Sequence, residues 1–180
     1  MTTYISMLRG INVGGKTIKM ADLKVLYEFL GFSDVTTYVQ SGNLIFKTKK
    51  ENTAAVVGSI ERAIVEQLGL KVTVIVRQPV EMALIIKKNP FVGRRAVDEN
   101  KLHVTFLQEK PASALVEALI PLASTSKDEY RVVGKEVYLH CPKSYGETLL
   151  SNKFFEKNLK VAATTRNWRT VNVLYSMSIQ

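Results

Sequence analysis

The chain has 180 residues, 46% hydrophobic and 23% charged, the make-up of a globular protein that folds as one compact domain or two small ones. Its 25 Lys and Arg against 16 Asp and Glu leave a net charge of +9, which favours anionic partners and carries no information about fold. The single cysteine, Cys141, excludes an internal disulfide and a four-cysteine zinc site, and no apolar run approaches the roughly 18–20 residues of a membrane span.

In chain order, residues 3–8 (TYISML) are apolar and β-rich and read as a buried strand running into a glycine-rich loop. Met20, Leu23, Leu26, Tyr27 and Leu30 then recur at helical spacing until Gly31. Residues 34–40 (DVTTYVQ) and 43–48 (NLIFKT) read as strands joined by a tight hairpin at Ser41 and Gly42. A helix from Thr53 to Leu68, closed by Gly69, and a strand at 71–76 complete the order βαββαβ. Both faces of the 43–48 strand are apolar, which predicts a covered sheet.

The second half opens with a short helix at 79–88 and a polar bend. Strands at 101–107, 129–133 and 136–141, with helices at 112–120 and 147–159, then repeat βαββα. Where a closing strand belongs, residues 164–178 carry Trp168, Val171, Leu174 and Tyr175 at helical spacing and read as a helix. The expected fold is therefore α+β, with two ferredoxin-like (βαββαβ-type) units packed together, residues 1–78 and residues 79–180. The second is diverged and ends in a helix.

Gly10, Gly15, Lys16 and Thr17 have the G-x-x-x-x-G-K-[ST] spacing of a nucleotide-binding P-loop. A true P-loop opens its helix at the Gly-Lys-Thr, so that N–H groups and dipole face the phosphates. Here the apolar period begins near Met20, about one turn late. Strands ending VIVRQ, TFLQE and YLHCP place no acidic residue where a Walker B aspartate belongs, and hairpins contradict the parallel sheet such proteins need. What survives is a polar glycine loop whose successive N–H groups can form an anion-binding concavity.

In a βαββαβ unit the loop after the first strand and the hairpin between the second and third share one end. This brings Arg9, Gly10, Asn12, Gly14, Gly15 and Lys16 near Gln40, Ser41 and Asn43, as a candidate ligand-binding cluster. Arg166, in what reads as the first turn of the last helix, faces a dipole that prefers an anion, and Asn167 beside it is free of the apolar period. Both join the candidate set.

No catalytic residue can be named. His140 and Cys141 are adjacent on a strand and point to opposite faces, and His103 alternates with apolar neighbours as a structural histidine does. No metal-ligand spacing and no cofactor motif is present. The third strand also lacks the paired aromatics of an RNA-recognition module.

The motifs RGINVGGK, YVQSGNLIF, NPF, KLHVTFL and ATTRNWRTV, in that order, resemble a bacterial family numbered 1697 among domains of unknown function. The resemblance implies paired ferredoxin-like units and a common site at Arg9, Gly10, Asn12, Gly14, Gly15, Gln40, Ser41, Gly42, Asn43, Arg166, Asn167 and Trp168. Members often read Leu-Gly where this chain has Leu159 and Lys160. It implies no reaction. The expectation is a cytoplasmic protein without a membrane partner that binds a small anionic ligand, bearing phosphate or carboxylate, at the glycine-rich loop. The alternative is a nucleic-acid-binding module that uses its basic surface.

Overall fold

The computed structural model describes residues 1–12, 17–123 and 126–180. It is a mixed α+β structure with two four-stranded antiparallel sheets, each accompanied by helices. One unit comprises Met1–Ala83 with Val173–Gln180, the other Leu84–Asn172.

The first unit runs β1 (Thr2–Leu8), α1 (Met20–Phe29), β2 (Ser33–Tyr38), β3 (Asn43–Thr48), α2 (Thr53–Leu68) and β4 (Val74–Arg77), followed by α3 (Pro79–Lys87). Its strand order is β2-β3-β1-β4. Helix α2 starts where the Asn52 side chain accepts from the Ala55 N–H at 3.0 Å and stops at Gly69, whose φ of 65° suits a left-handed cap. Its buried stripe, Val56, Ile60, Ala63 and Ile64, keeps helical spacing and packs with Leu23, Leu26 and Tyr27 of α1 on the sheet side formed by Tyr4, Leu8, Leu44, Phe46, Val74 and Val76. Phe32 stacks on Phe46 with centroids 4.5 Å apart. The Ser6 and Tyr27 hydroxyls satisfy each other at 2.9 Å, which lets both be buried. The opposite face of this sheet is also buried at Ile5, Met7, Ile45 and Ile75, as the apolar residues on both faces of β3 lead one to expect.

The second unit runs β5 (Leu102–Leu107), α4 (Ser113–Glu117), α5 (Leu119–Ala123), β6 (Glu129–Val133), β7 (Glu136–His140), α6 (Asn152–Leu159) and β8 (Ala163–Asn167), and leads into α7 (Trp168–Ser178). Its strand order, β6-β7-β5-β8, repeats that of the first sheet. Leu107, Val137, Leu139 and Ala163 meet Leu119, Phe155 and Leu159 on one side, while the Tyr138 hydroxyl donates to the Ile85 carbonyl of α3 at 3.0 Å on the other.

Several expectations change. Residues 163–167 do form the closing strand, paired with β5 from Leu107↔Ala163 to His103↔Asn167, so a strand precedes the final helix. Thr164, Thr165 and Arg166 carry no apolar alternation, and the pairing with β5 decides their state. The helix foreseen at 112–120 is two short ones, because Pro121 has no N–H to donate back to Glu117. Helix α6 starts at Asn152, capped by Ser151, and not at Glu147. The β2–β3 turn has four residues, 39–42, with Val39 at φ 50° and Gly42 at φ 72°. Strand β4 begins at Val74.

Candidate functional site

The loop after β1 and the β2–β3 turn lie against each other, as the strand order predicts. The Leu8 N–H donates to the Gly42 carbonyl at 2.8 Å, and the Arg9 N–H to the Thr73 carbonyl at 2.9 Å. Gly10 then takes φ 67°, turning the chain, and Asn12 takes φ 57°. Asn12 is the tie between the two segments. Its Nδ2 donates to the Gln40 carbonyl at 2.6 Å while its Oδ1 accepts from the Ile18 N–H at 2.8 Å. A short amide side chain tolerates the left-handed region and bonds locally, so asparagine suits this position.

Gly42 has a second reason to be glycine. A Cβ there would stand 2.7 Å from Ile11 Cδ1 and 2.8 Å from Leu8 Cβ, closer than atoms can approach. The next residue, Asn43, is fully buried and donates from Nδ2 to the Tyr38 carbonyl at 3.1 Å and to Ser41 Oγ at 2.9 Å, holding the turn shut. Arg9, Gly10 and Asn12 are half-buried, while Thr17, Gln40 and Ser41 are exposed. Six of the residues singled out from sequence are thus together: Arg9, Gly10, Asn12, Gln40, Ser41 and Asn43. Gly14, Gly15 and Lys16 lie outside the described residues. Thr73, whose carbonyl anchors Arg9, was not foreseen; the signal is that β1 pairs with β4, which sets residue 73 beside residue 9.

Arg166 and Asn167 belong to the second unit and have other work. Arg166 is not in a helical first turn. It lies buried in β8, donating from Nη1 to Thr164 Oγ1 at 2.8 Å and to the Thr165 carbonyl at 2.9 Å. Burial pulls its pKa down to about 10, so it stays charged at neutral pH. Asn167 caps α7, its Oδ1 accepting from the Thr170 N–H at 2.8 Å. Trp168 is buried.

His140 and Cys141 diverge as strand geometry requires. His140 Nδ1 meets Glu129 Oε1 at 3.3 Å on one face, with Arg94 Nη1 on the other carboxylate oxygen at 3.2 Å. Cys141 enters the core, where burial and Asp128 push its thiol up to about 11 against a weaker opposing bond from Thr148. A thiol so protonated at neutral pH is a poor nucleophile. His103 stacks on Tyr145 with centroids 4.8 Å apart, and burial lowers its pKa. Among the described residues no group of three or more His, Cys, Asp or Glu is placed to hold a metal ion. Nor, among those residues, is any helix long and apolar enough to cross a membrane.

The repeated sheet order defines a mixed α+β protein with two four-stranded antiparallel sheets, and the RGIN loop and QSGN turn meet on the first unit. The chain belongs to the family described as Protein of unknown function (DUF1697), whose model matches residues 1–138. A solved structure, the conserved bacterial protein SP0830 from Streptococcus pneumoniae, shares the fold with a TM-score of 0.70. The match covers 100% of this chain and 99% of that one at 20% identity. No curated protein matches.

Proposed function

We propose that the first unit binds a small anionic ligand, bearing phosphate or carboxylate, at the rim formed by Arg9, Gly10 and Asn12 with Gln40 and Ser41. The observation that carries this reading is the double tie made by Asn12, which fixes a left-handed loop against the exposed Gln40 and Ser41. Arg9 supplies the charge and the loop N–H groups the cradle. Asn43 shapes the turn from beneath and does not face the ligand. Arg166 and Asn167 are left out of the site because strand and cap bonds already engage them. The strand orders support reading both units as ferredoxin-like, and the lone buried cysteine supports a cytoplasmic, reducing setting.

A thermal-shift screen of nucleotides, phosphorylated metabolites and small carboxylates, run on the wild type and Arg9→Ala, tests the site. A ligand at about 100 times its Kd stabilises by about 2.7 kcal/mol, and Arg9→Ala should abolish most of that rise. A screen without any rise, or an equal rise in Arg9→Ala, overturns the proposal. The charge of +9, spread along the chain, favours a second reading, a nucleic-acid-binding surface. That reading requires affinity to fall steeply with salt, whereas a pocket holding one small anion loses little.

A further inference from the structure

Among the described residues the two sheets have four edge strands, and one of these is open and regular. β4 is buried along its length, and β8 is buried over most of it. β2 is guarded by a bulge between Ser33 and Thr36, by Asp34 at φ 52°, and by the Asp34–Lys47 ion pair at 2.9 Å. β6 pairs with β7 without a register shift from Glu129↔His140 to Val133↔Glu136. Among the described residues no strand lies on its outer side.

The turn between β6 and β7 has two residues, Gly134 and Lys135, so Val133 and Glu136 form a hydrogen-bonded pair. It follows that Glu129, Arg131 and Val133 bond inward to β7, while Tyr130 and Val132 offer their N–H and C=O groups outward. Beside this edge runs a groove of about 490 Å³ between the broken α4–α5 segment and β6. It is walled by Val116, Ile120, Tyr130 and Val132, and Ile120 stands 67% exposed.

We infer that β6 is a self-association edge, where two copies of this chain pair their β6 strands antiparallel about a two-fold axis at Tyr130. Charge selects this register. With Tyr130 opposite the partner's Tyr130, each Glu129 stands opposite the partner's Arg131, in the non-hydrogen-bonded position where side chains come closest. Moving the axis one residue to Arg131 sets arginine against arginine, and moving it to Glu129 sets carboxylate against carboxylate. The strand is therefore complementary to itself in one alignment. The two Tyr130 residues exchange N–H and C=O bonds, the Val132 N–H gains the carbonyl of the partner's Asp128, and the two tyrosines meet over the apolar groove. Glu129 already accepts from Arg94 and His140, yet a carboxylate has four lone-pair sites and accepts a further guanidinium. Arg131 donates to its own Tyr130 carbonyl at 2.7 Å in the single chain and exchanges that bond for the partner's carboxylate. The resulting contact is isologous and closes at two copies.

Sedimentation equilibrium over a concentration series tests this. The wild type should form a dimer, and Arg131→Glu, at an exposed position that the fold does not need, should raise the dissociation constant by about tenfold or more. Mixing Arg131→Glu chains with Glu129→Lys chains should restore a heterodimer, since every facing pair is again of opposite charge. Hydrogen exchange gives a check independent of any variant. The Tyr130 and Val132 amides should slow with rising concentration while those of β2 do not. A monomer at all concentrations, a dimer indifferent to Arg131→Glu, or exchange at Tyr130 and Val132 that ignores concentration would each overturn the inference.

Discussion

The ends of the two sheets invite comparison. In the first unit the residue closing β1 bonds the turn beyond it, Leu8 N–H to Gly42 O at 2.8 Å, and the next residue bonds the segment before β4, Arg9 N–H to Thr73 O at 2.9 Å. In the second, Leu107 N–H meets Lys135 O at 2.8 Å and Gln108 N–H meets Ala162 O at 2.9 Å. The two sheets end their central strands with the same pair of backbone hydrogen bonds. What differs is the decoration. The first unit places eleven residues, 9–19, between strand and helix, with Asn12 tied to Gln40, whereas the second crosses in five, 108–112, with a two-residue turn opposite. The longer connection and the Asn12 tie belong to the first unit alone among the described residues, so the candidate residues do not repeat although the strand order does.

Three experiments break or sharpen that comparison. The largest effect concerns the paired turns. Gly42→Ala forces a Cβ into Ile11 and Leu8 at φ 72° and should cost about 3 kcal/mol in urea unfolding. Gly134→Ala meets nothing nearer than 3.8 Å and should cost about 1 kcal/mol from its φ of 63° alone. Equal losses would mean that the loop and turn of the first unit are not pressed together.

Next is a pH effect specific to the second unit, where Cys141 occupies the position that Thr48 holds in the first. Because the folded thiol titrates at about 11, above its ordinary value of 9.0, the unfolded chain releases this proton first as pH rises. Folded stability is thus undiminished below pH 9 and falls between about 9 and 11, by up to about 1.4 kcal/mol per pH unit. Denaturation midpoints measured across that window should flatten in Cys141→Ala relative to wild type. Parallel pH slopes in the two proteins would show that the thiol is not buried.

The smallest effect lies at matching helix ends. Helix α2 stops on Gly69 at φ 65°, and α6 stops on Lys160 at φ 59°. A lysine there bears the left-handed penalty, so Lys160→Gly should stabilise by about 0.5–1 kcal/mol, visible as a higher Tm. Gly69→Lys should cost a similar amount.

The sequence by itself determined much of this. Helical periodicity located α1, α2 and α3, and β-rich apolar runs bounded by turn residues located β1, β3, β5, β6 and β7. That the loop after β1 and the β2–β3 hairpin share one end followed from the βαββαβ pattern, and with it the neighbourhood of Arg9, Asn12, Gln40 and Asn43, since hairpins and short crossovers leave few alternatives. The late start of α1 at Met20 was legible from the apolar register, and it separates this loop from a P-loop.

Tertiary structure decided the rest. Thr164, Thr165 and Arg166 become strand only because β5 offers an edge, and that pairing takes Arg166 from a helix end into the interior. Asn167 became a cap because the strand stops there. Gly42 reads as a turn residue in sequence, and only the approach of Ile11 explains why no side chain fits. Local pattern records which face a residue shows. Which neighbour meets that face depends on segments distant in sequence, and no window along the chain contains them.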